Sequence, residues 1–149
     1  MTMQLLNFCL LVILGHTAMG VPLKQIQLKL VEMQKDLENL NKSVQHHGLM
    51  LNTPQTEDIK ECCTGHAMLC FGEKLDALDS QNSNITKRLL GKSLKKPIIR
   101  ESVNDCSEDD TKSANCPACD SYPLRDSRTF VQALKTLLQQ CTAKVGYRR

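Results

Sequence analysis

The cysteines constrain this chain more than any other feature of its sequence. Eight occur in 149 residues. Cys9 lies in residues 1–20, an uncharged and largely apolar stretch typical of a secretory signal peptide. Small residues at Ala18 and Gly20 predict cleavage after Gly20, which leaves one domain over residues 21–149. In an oxidising compartment the other seven cysteines are expected to form disulfides, and because seven is odd, at least one stays outside the intramolecular pairs.

Composition excludes several functional classes. The net charge of +3 is too small for a nucleic-acid binder. The apolar N-terminal run is shorter than the ~20 residues of a bilayer span, so we expect a secreted, extracellular protein without membrane insertion. Tryptophan is absent and 3% of residues are aromatic, which predicts a thin aliphatic core helped by disulfides. The basic stretch from Lys87 to Arg100 is interpreted as a solvated helix face, with attraction to acidic polysaccharide as the alternative.

The strongest periodicity follows the signal peptide. Apolar residues recur there in alternating steps of three and four, the pattern of a helix in a bundle. They are Leu23, Ile26, Leu30, Met33, Leu37, Leu40 and Val44. Leu28 and Val31 fall off this seam, and they either widen the buried stripe or lie on a binding surface.

Three further helices are predicted. The second begins with Thr53 as its cap and Pro54 at its first position and continues to Leu78. After a turn at residues 79–83, the third runs from Asn84 to about Lys95, with an apolar side formed by Ile85, Leu89, Leu90 and Leu94. A long polar loop is expected over residues 101–126, and no segment alternates with a period of two.

The fourth helix is predicted to begin at Asp126 or Ser127, either of which can cap it. Its apolar face is formed by Phe130, Leu134, Leu137, Leu138, Cys141 and Val145. The chain is therefore predicted to be all-α and disulfide-braced, with four helices and a long loop before the last.

Four cysteines have spacings that suggest how they pair. Cys63 and Cys70 are seven residues apart and so project from the same side of one helix. Cys116 and Cys119 are three apart in the predicted loop. Bridges from Cys63 to Cys116 and from Cys70 to Cys119 would join that loop to the helix as two rungs, although spacing alone leaves crossed pairing open.

Two patterns imitate metal or catalytic sites. Cys116-x-x-Cys119 has zinc-ligand spacing, but a closed site needs a second matching pair, and Cys62-Cys63 has the wrong spacing. The run Cys62-Cys-Thr-Gly-His66 resembles the core of secreted phospholipases A2. There an aspartate follows the histidine, whereas this chain has Ala67 and no Gly-rich calcium loop. We expect no enzymatic activity, metal or cofactor.

Two sequons predict N-glycosylation in a secreted chain. Asn84-Ile-Thr86 lies beside a predicted turn, and Asn41-Lys-Ser43 lies on the first helix.

A family resemblance rests mainly on Cys116-Pro-Ala-Cys-Asp-Ser-Tyr122, followed by Phe130 and Leu134-Lys-Thr-Leu-Leu-Gln139. Together with Glu61-Cys-Cys and Cys70-Phe71, these residues resemble the interleukin-2/15/21 family of short-chain cytokines, above all its interleukin-21 branch. The resemblance implies a four-helix bundle with up-up-down-down topology. It also implies a cytokine, expected to be monomeric, that bridges a private interleukin-21-type receptor chain and the common cytokine receptor gamma chain to activate JAK–STAT signalling in lymphocytes.

The resemblance also implies receptor contacts. Gln139 occupies the place of a last-helix glutamine that meets the gamma chain, and its neighbour Gln140 could share that role. Glu32 stands where the family has an acidic residue that meets the private receptor chain. Gln25, Lys29 and Asp36 are added from their expected exposure on the same helix.

The familiar mammalian pattern lacks three of these cysteines, Cys62, Cys106 and Cys141, which suggests a divergent, non-mammalian member of the family. In an up-up-down-down bundle, the start of the second helix and the end of the fourth lie at the same end. Cys62 is therefore paired first with Cys141, leaving Cys106 free, and Cys62 with Cys106 is the close alternative. The functional alternatives are an interleukin-15- or interleukin-2-like cytokine and a secreted binding module without signalling.

Overall fold

The computed structural model describes residues 22–78, 84–104 and 106–148. The predicted signal peptide at 1–20 and the predicted turn at 79–83 lie outside the described residues. Within these ranges the fold is mostly helical. The helices are α1 (Leu23–Ser43), α2 (Thr64–Leu75), α3 (Asn84–Leu94), α4 (Pro97–Val103), α5 (Glu108–Ser113) and α6 (Ser127–Tyr147). Two short strands, β1 (Met50–Asn52) and β2 (Leu124–Asp126), pair antiparallel.

The two long helices, α1 and α6, pack against each other in antiparallel orientation. Gln34 near the middle of α1 donates through Nε2 to the Thr142 hydroxyl at 2.7 Å, and Gln27 donates to the Thr142 carbonyl at 3.4 Å. At the opposite end, His46 after α1 contacts Ser127 at the start of α6. The predicted 3-4 seam of α1 is confirmed, since its buried residues are Ile26, Leu30, Met33, Leu37 and Leu40.

Helices α2 and α3 are also antiparallel neighbours, and a glycine allows their close approach. A Cβ placed on Gly72 would lie 2.8 Å from Lys95 Cγ and 3.1 Å from Leu94 Cβ. Farther along, Lys87 donates to the Leu78 carbonyl at 3.0 Å. The apolar core is shared across the helices, and Phe71 of α2 meets Phe130 of α6 with ring centroids 5.1 Å apart.

The arrangement of neighbours follows from these contacts. Helix α1 touches α3, α4 and α6, and α2 touches the same three helices. Among the described residues, α1 and α2 make no comparable contact, so they lie diagonally across the core.

The predicted start of the second helix is wrong. Thr53 does not cap a helix: its hydroxyl donates to the Leu51 carbonyl at 2.8 Å, and its amide donates to the Pro123 carbonyl at 2.9 Å. Those bonds hold the segment extended after β1. A 3₁₀ turn follows at Thr56–Asp58, and α2 itself begins at Thr64.

The mostly helical fold agrees with the all-α prediction, but that prediction did not include the two short strands. The register pairs Met50 with Asp126 and Asn52 with Leu124. Asn52 adds a side-chain bond, donating through Nδ2 to the Tyr122 carbonyl at 2.9 Å. Strands of three residues are too short for a period of two to stand out, which is why no alternating pattern indicated them.

The predicted polar loop contains helical structure. Pro97 follows the end of α3 as predicted, but it also begins α4, where its fixed φ suits the first turn. Ile99 and Val103 of α4 are buried four residues apart. On α3, Leu90 and Leu94 are buried as predicted, whereas Ile85 and Leu89 are 67% and 52% exposed.

Across the described ranges, no helix combines the length and apolarity that crossing a membrane requires.

The start of α6 yields a test of pH dependence. Asp126 accepts a hydrogen bond from the Thr129 amide at 2.7 Å, and this bond holds the Asp126 pKa below its usual 3.8. A lowered folded pKa contributes stability that is present above the unfolded pKa and lost as pH falls through the folded pKa. We therefore expect Asp126→Ala to lower the free energy of unfolding at neutral pH and to lose this effect well below pH 3.8.

Urea unfolding over a pH series measures this difference. Asp126→Asn is the matched control, because asparagine caps helices about as well but carries no charge. An equal penalty for Asp126→Ala at neutral and strongly acidic pH would contradict the assignment.

Candidate functional site

Three disulfides join residues 62–70, which precede and enter α2, to the segment between α4 and β2. Cys62 pairs with Cys106, Cys63 with Cys116 and Cys70 with Cys119, at Cα–Cα distances of 5.6, 5.5 and 5.2 Å. The last two are the uncrossed rungs suggested by the spacing. The first-ranked pairing of Cys62 with Cys141 is wrong, and the alternative with Cys106 holds.

Backbone geometry explains how two adjacent cysteines reach different partners. Cys62 has a φ of +69°, in the left-handed region that non-glycine residues seldom adopt. This turn just before α2 makes the side chains of Cys62 and Cys63 point in different directions. The unusual backbone conformation could not be read from the sequence, which is why the pairing of Cys62 stayed open.

Among the described residues, the one cysteine outside these bridges is buried. Cys141 lies on the core face of α6 with 2% of its surface exposed, and burial raises its thiol pKa to about 12. It is therefore an apolar core residue in the folded chain, with a thiol neither accessible nor ionised at neutral pH.

The segment Cys116–Tyr122 is fastened to α2 and β1. Beside the Cys70–Cys119 bridge, Asp120 accepts an ion-paired hydrogen bond from Lys74 of α2 at 2.9 Å. Asn52 of β1 donates to the Asp120 and Tyr122 carbonyls. These bonds fix the segment immediately before β2 and α6, and so fix where α6 begins.

One groove runs between α1 and α3 and is called the α1–α3 groove. It encloses about 670 Å³ and is lined by Lys29, Glu32 and Asp36 on α1 and by Arg88, Lys92 and Lys95 on α3 and just after it. It brings together three of the four predicted private-receptor residues. The fourth, Gln25, is exposed and lies one turn from Lys29 on the same face by helical spacing.

The two walls of the α1–α3 groove differ in charge. Burial raises the pKa of Asp36 on the α1 wall; nearby Glu32 adds to the rise and Lys29 opposes it. Lys29 forms an ion pair with Glu32 at 3.5 Å. Arg88, Lys92 and Lys95 form no ion pair with any described residue. The basic stretch, expected to be only a solvated face, thus forms one wall of a groove.

A second groove lies on another flank of α1, against α6, and is called the α1–α6 groove. It encloses about 330 Å³, and its polar lining comprises Gln34, Lys35, Glu38 and Asn41 of α1 with Lys135 and Gln139 of α6. The predicted gamma-chain residue Gln139 is exposed and lies in this groove.

Gln140 is exposed but does not line the α1–α6 groove. One residue turns a helix by about 100°, so Gln140 lies in line with Thr136 and Ala133. Those two residues line a different cavity, between α6 and the 3₁₀ turn at Thr56–Asp58. Gln139 and Gln140 therefore lie on different surfaces of α6.

The sequence analysis missed Lys35, Glu38, Arg88 and Lys92 as groove residues. Helical spacing could have indicated some of them, because residues four apart lie on the same face of a helix. Glu38 is four residues from Gln34, and Lys92 is four from Arg88. Which neighbouring helix each of these polar faces lies against is decided only by the tertiary structure.

Both predicted glycosylation residues are exposed: Asn41 in the last turn of α1 and Asn84 at the start of α3. Among the described residues, no group of three or more His, Cys, Asp and Glu side chains is placed to hold a metal ion. No protein-family model matches this chain.

Removing the Cys62–Cys106 bridge tests its contribution to stability. Closing the 44-residue separation between Cys62 and Cys106 should stabilise the fold by about 4 kcal/mol in the chain-entropy model. We expect the double substitution Cys62→Ala with Cys106→Ala to lower the free energy of unfolding by about 2–4 kcal/mol in urea titrations.

The matched control is Cys63→Ala with Cys116→Ala. It should cost more, because Cys63 is fully buried whereas Cys62 and Cys106 are only partly buried. A change below about 0.5 kcal/mol for the Cys62–Cys106 pair would show that this bridge does not form or does not stabilise the fold.

The buried thiol can be tested by alkylation. With a pKa of about 12, on the order of one Cys141 thiol in 100,000 is ionised at neutral pH, and the group is shielded as well. We expect the non-reduced, native protein to resist iodoacetamide and to take up one label per chain, at Cys141, after unfolding in urea. Mass spectrometry counts the labels, and rapid native labelling of Cys141 would contradict its burial.

Proposed function

We propose that this chain is a secreted, short-chain cytokine of the interleukin-2/15/21 family, related most closely to the interleukin-21 branch. It would bridge a private receptor chain and the common cytokine receptor gamma chain and thereby activate JAK–STAT signalling in lymphocytes. The observation that carries the proposal is the placement of two grooves on different flanks of α1. One groove holds Lys29, Glu32 and Asp36 of the predicted private-receptor contacts, and the other holds Gln139 of the predicted gamma-chain contacts.

The helix contacts support the up-up-down-down bundle that this function requires. In that topology the first and last long helices are antiparallel, the second and third bundle helices are antiparallel, and the first two lie diagonally. These relationships are found, in the same order, for α1 with α6, for α2 with α3, and for α1 with α2. Helices α4 and α5 belong to the connection before α6.

We assign the private receptor chain to the α1–α3 groove. Its walls combine the acidic residues Glu32 and Asp36 with Arg88 and Lys92, around the exposed Leu89. Neither of these two cations forms an ion pair with a described residue. An apolar centre with a charged surround is typical of protein interfaces. A partner with acidic side chains facing α3 and basic side chains facing α1 complements this pattern and would associate faster at low salt.

We assign the gamma chain to the α1–α6 groove, with Gln139 as its central contact. The polar amides Gln34 and Gln139 and the apolar Val31 and Val131 line this groove. Because the two grooves use different flanks of α1, both receptor chains can bind one cytokine monomer together. Simultaneous binding is what brings two receptor tails, and the kinases attached to them, close to each other.

Substitution of Gln139 tests this assignment. We expect Gln139→Ala to weaken gamma-chain binding by roughly 30-fold or more, the effect of losing a central interface contact, and to reduce STAT phosphorylation accordingly. Binding to the private chain and secretion should stay near wild type. Surface binding to each receptor chain and a STAT phosphorylation assay measure these effects.

Two control variants separate the flanks. Gln140→Ala should have a smaller effect on gamma-chain binding, because Gln140 lies outside the α1–α6 groove. Glu32→Lys should weaken private-chain binding instead. Full signalling by Gln139→Ala would refute the role of Gln139. Binding to a receptor of the interleukin-15 or interleukin-2 type would favour a sister cytokine, and binding without STAT phosphorylation would favour a non-signalling binding module.

A further inference from the structure

One of the two N-glycosylation motifs lies on a proposed receptor-docking surface. Asn41 is exposed and lines the α1–α6 groove together with Gln139. At about 100° per residue, Asn41 is in line with Gln34 and Glu38 on the same groove and lies about 140° from Asp36 on the α1–α3 groove. A modification of Asn41 would therefore affect one groove and leave the other open.

The distance between Asn41 and Gln139 follows from the antiparallel pairing of the helices. Thr142 contacts both Gln27 and Gln34, and Ser127 contacts His46, so Gln139 lies level with residues 34–37 of α1. At about 1.5 Å rise per residue, Asn41 is roughly 6–10 Å farther along the groove.

A receptor footprint centred on Gln139 must cover Asn41. A standard interface buries about 800 Å² on each partner, equivalent to a disc of about 16 Å radius. With the 8–10 Å that separates the axes of packed helices added to the axial distance, Asn41 is roughly 10–14 Å from Gln139, inside that radius. An N-linked glycan is bulky and hydrated, so it cannot be accommodated beneath a closely packed interface.

The position of the motif also predicts partial modification. The motif occupies the last turn of α1, where the helix ends at Ser43 and the chain becomes extended at Val44. In the folded chain, the Ser43 hydroxyl donates to the Leu40 carbonyl at 3.0 Å. Glycan transfer to this motif therefore competes with helix formation, which yields a mixture of modified and unmodified chains.

We propose that N-glycosylation of Asn41 blocks the gamma chain while leaving the private receptor chain free to bind. This inference rests on the proposed function. In the transfer, Asn41 Nδ2 forms a bond to the anomeric carbon of a lipid pyrophosphate-linked oligosaccharide. The bond from that carbon to the phosphate oxygen breaks, the lipid pyrophosphate leaves and Nδ2 loses one proton. The modified chain occupies the private receptor without signalling, and so opposes the unmodified chain.

The experiment uses the full chain secreted from mammalian cells. Glycoforms are separated on lectin and size columns, and glycopeptide mass spectrometry assigns occupancy of Asn41 and Asn84. Each glycoform is then tested for surface binding to the private chain and to the gamma chain. The form modified at Asn41 should bind the gamma chain at least roughly tenfold more weakly, with private-chain affinity unchanged within about twofold.

Three variants isolate the glycan from the side chain. Ser43→Ala removes the motif through a residue that does not line the α1–α6 groove, so its preparation should bind the gamma chain fully. Asn41→Gln removes the same motif at a groove residue, and it serves only to confirm by mass spectrometry that the glycan is attached at Asn41. Asn84→Gln removes the other acceptor, which lies on α3, a helix with no contact to α6 among the described residues. It should leave the gamma-chain binding of each Asn41 glycoform unchanged.

The outcomes that overturn the inference are distinct from failure of the proposed function. Secreted chain without glycan at Asn41, or Asn41-modified chain that binds the gamma chain normally, refutes the glycan block while the cytokine assignment stands. If unmodified Ser43→Ala protein is helical by circular dichroism but binds neither receptor chain, the proposed function fails and the inference fails with it.

Discussion

The three disulfides between residues 62–70 and residues 106–119 are the constraint on which the rest of the structure depends. The segment before α6 has only short helices and few buried apolar side chains, so it cannot hold its own position. The bridges fasten it to α2, and the Lys74–Asp120 ion pair and the β1–β2 pairing complete the attachment. Helix α6 starts from this fixed point, capped by Asp126. The direction of α6, and hence the α1–α6 groove, follows from that anchorage.

A second level of organisation comes from how α1 is shared. One buried seam faces the core, and the two flanks of that seam face α3 and α6. A helix placed in this way offers two separate polar surfaces without any additional domain. This arrangement also creates a conflict, because the Asn41 glycosylation motif lies on the flank of α1 that gamma-chain binding would use.

The sequence predicted some parts of this architecture well and others poorly. Helices α1 and α6 were predicted because each carries a long run of apolar residues at helical spacing, and Asp126 was a recognisable cap. The start of α2, the β1–β2 ribbon and helices α4 and α5 were missed. These elements are short, and they depend on partners far away in the chain: Thr53 bonds to Pro123, and Asn52 to Tyr122. Local propensity carries little information about such contacts.

The sequence by itself determined the helical seams, the spacing of Cys63 with Cys70 and of Cys116 with Cys119, and the polar residues available for contact. Periodicity and spacing arise between residues a few positions apart, so they can be read directly from the chain. Only the tertiary structure decided that Cys62 pairs with Cys106 and that Cys141 is buried. It also placed Glu32 and Gln139 in separate grooves and left Gln140 outside both. Those outcomes depend on contacts between segments from 44 to 115 residues apart in sequence, where the shape of the whole core sets which face each side chain presents.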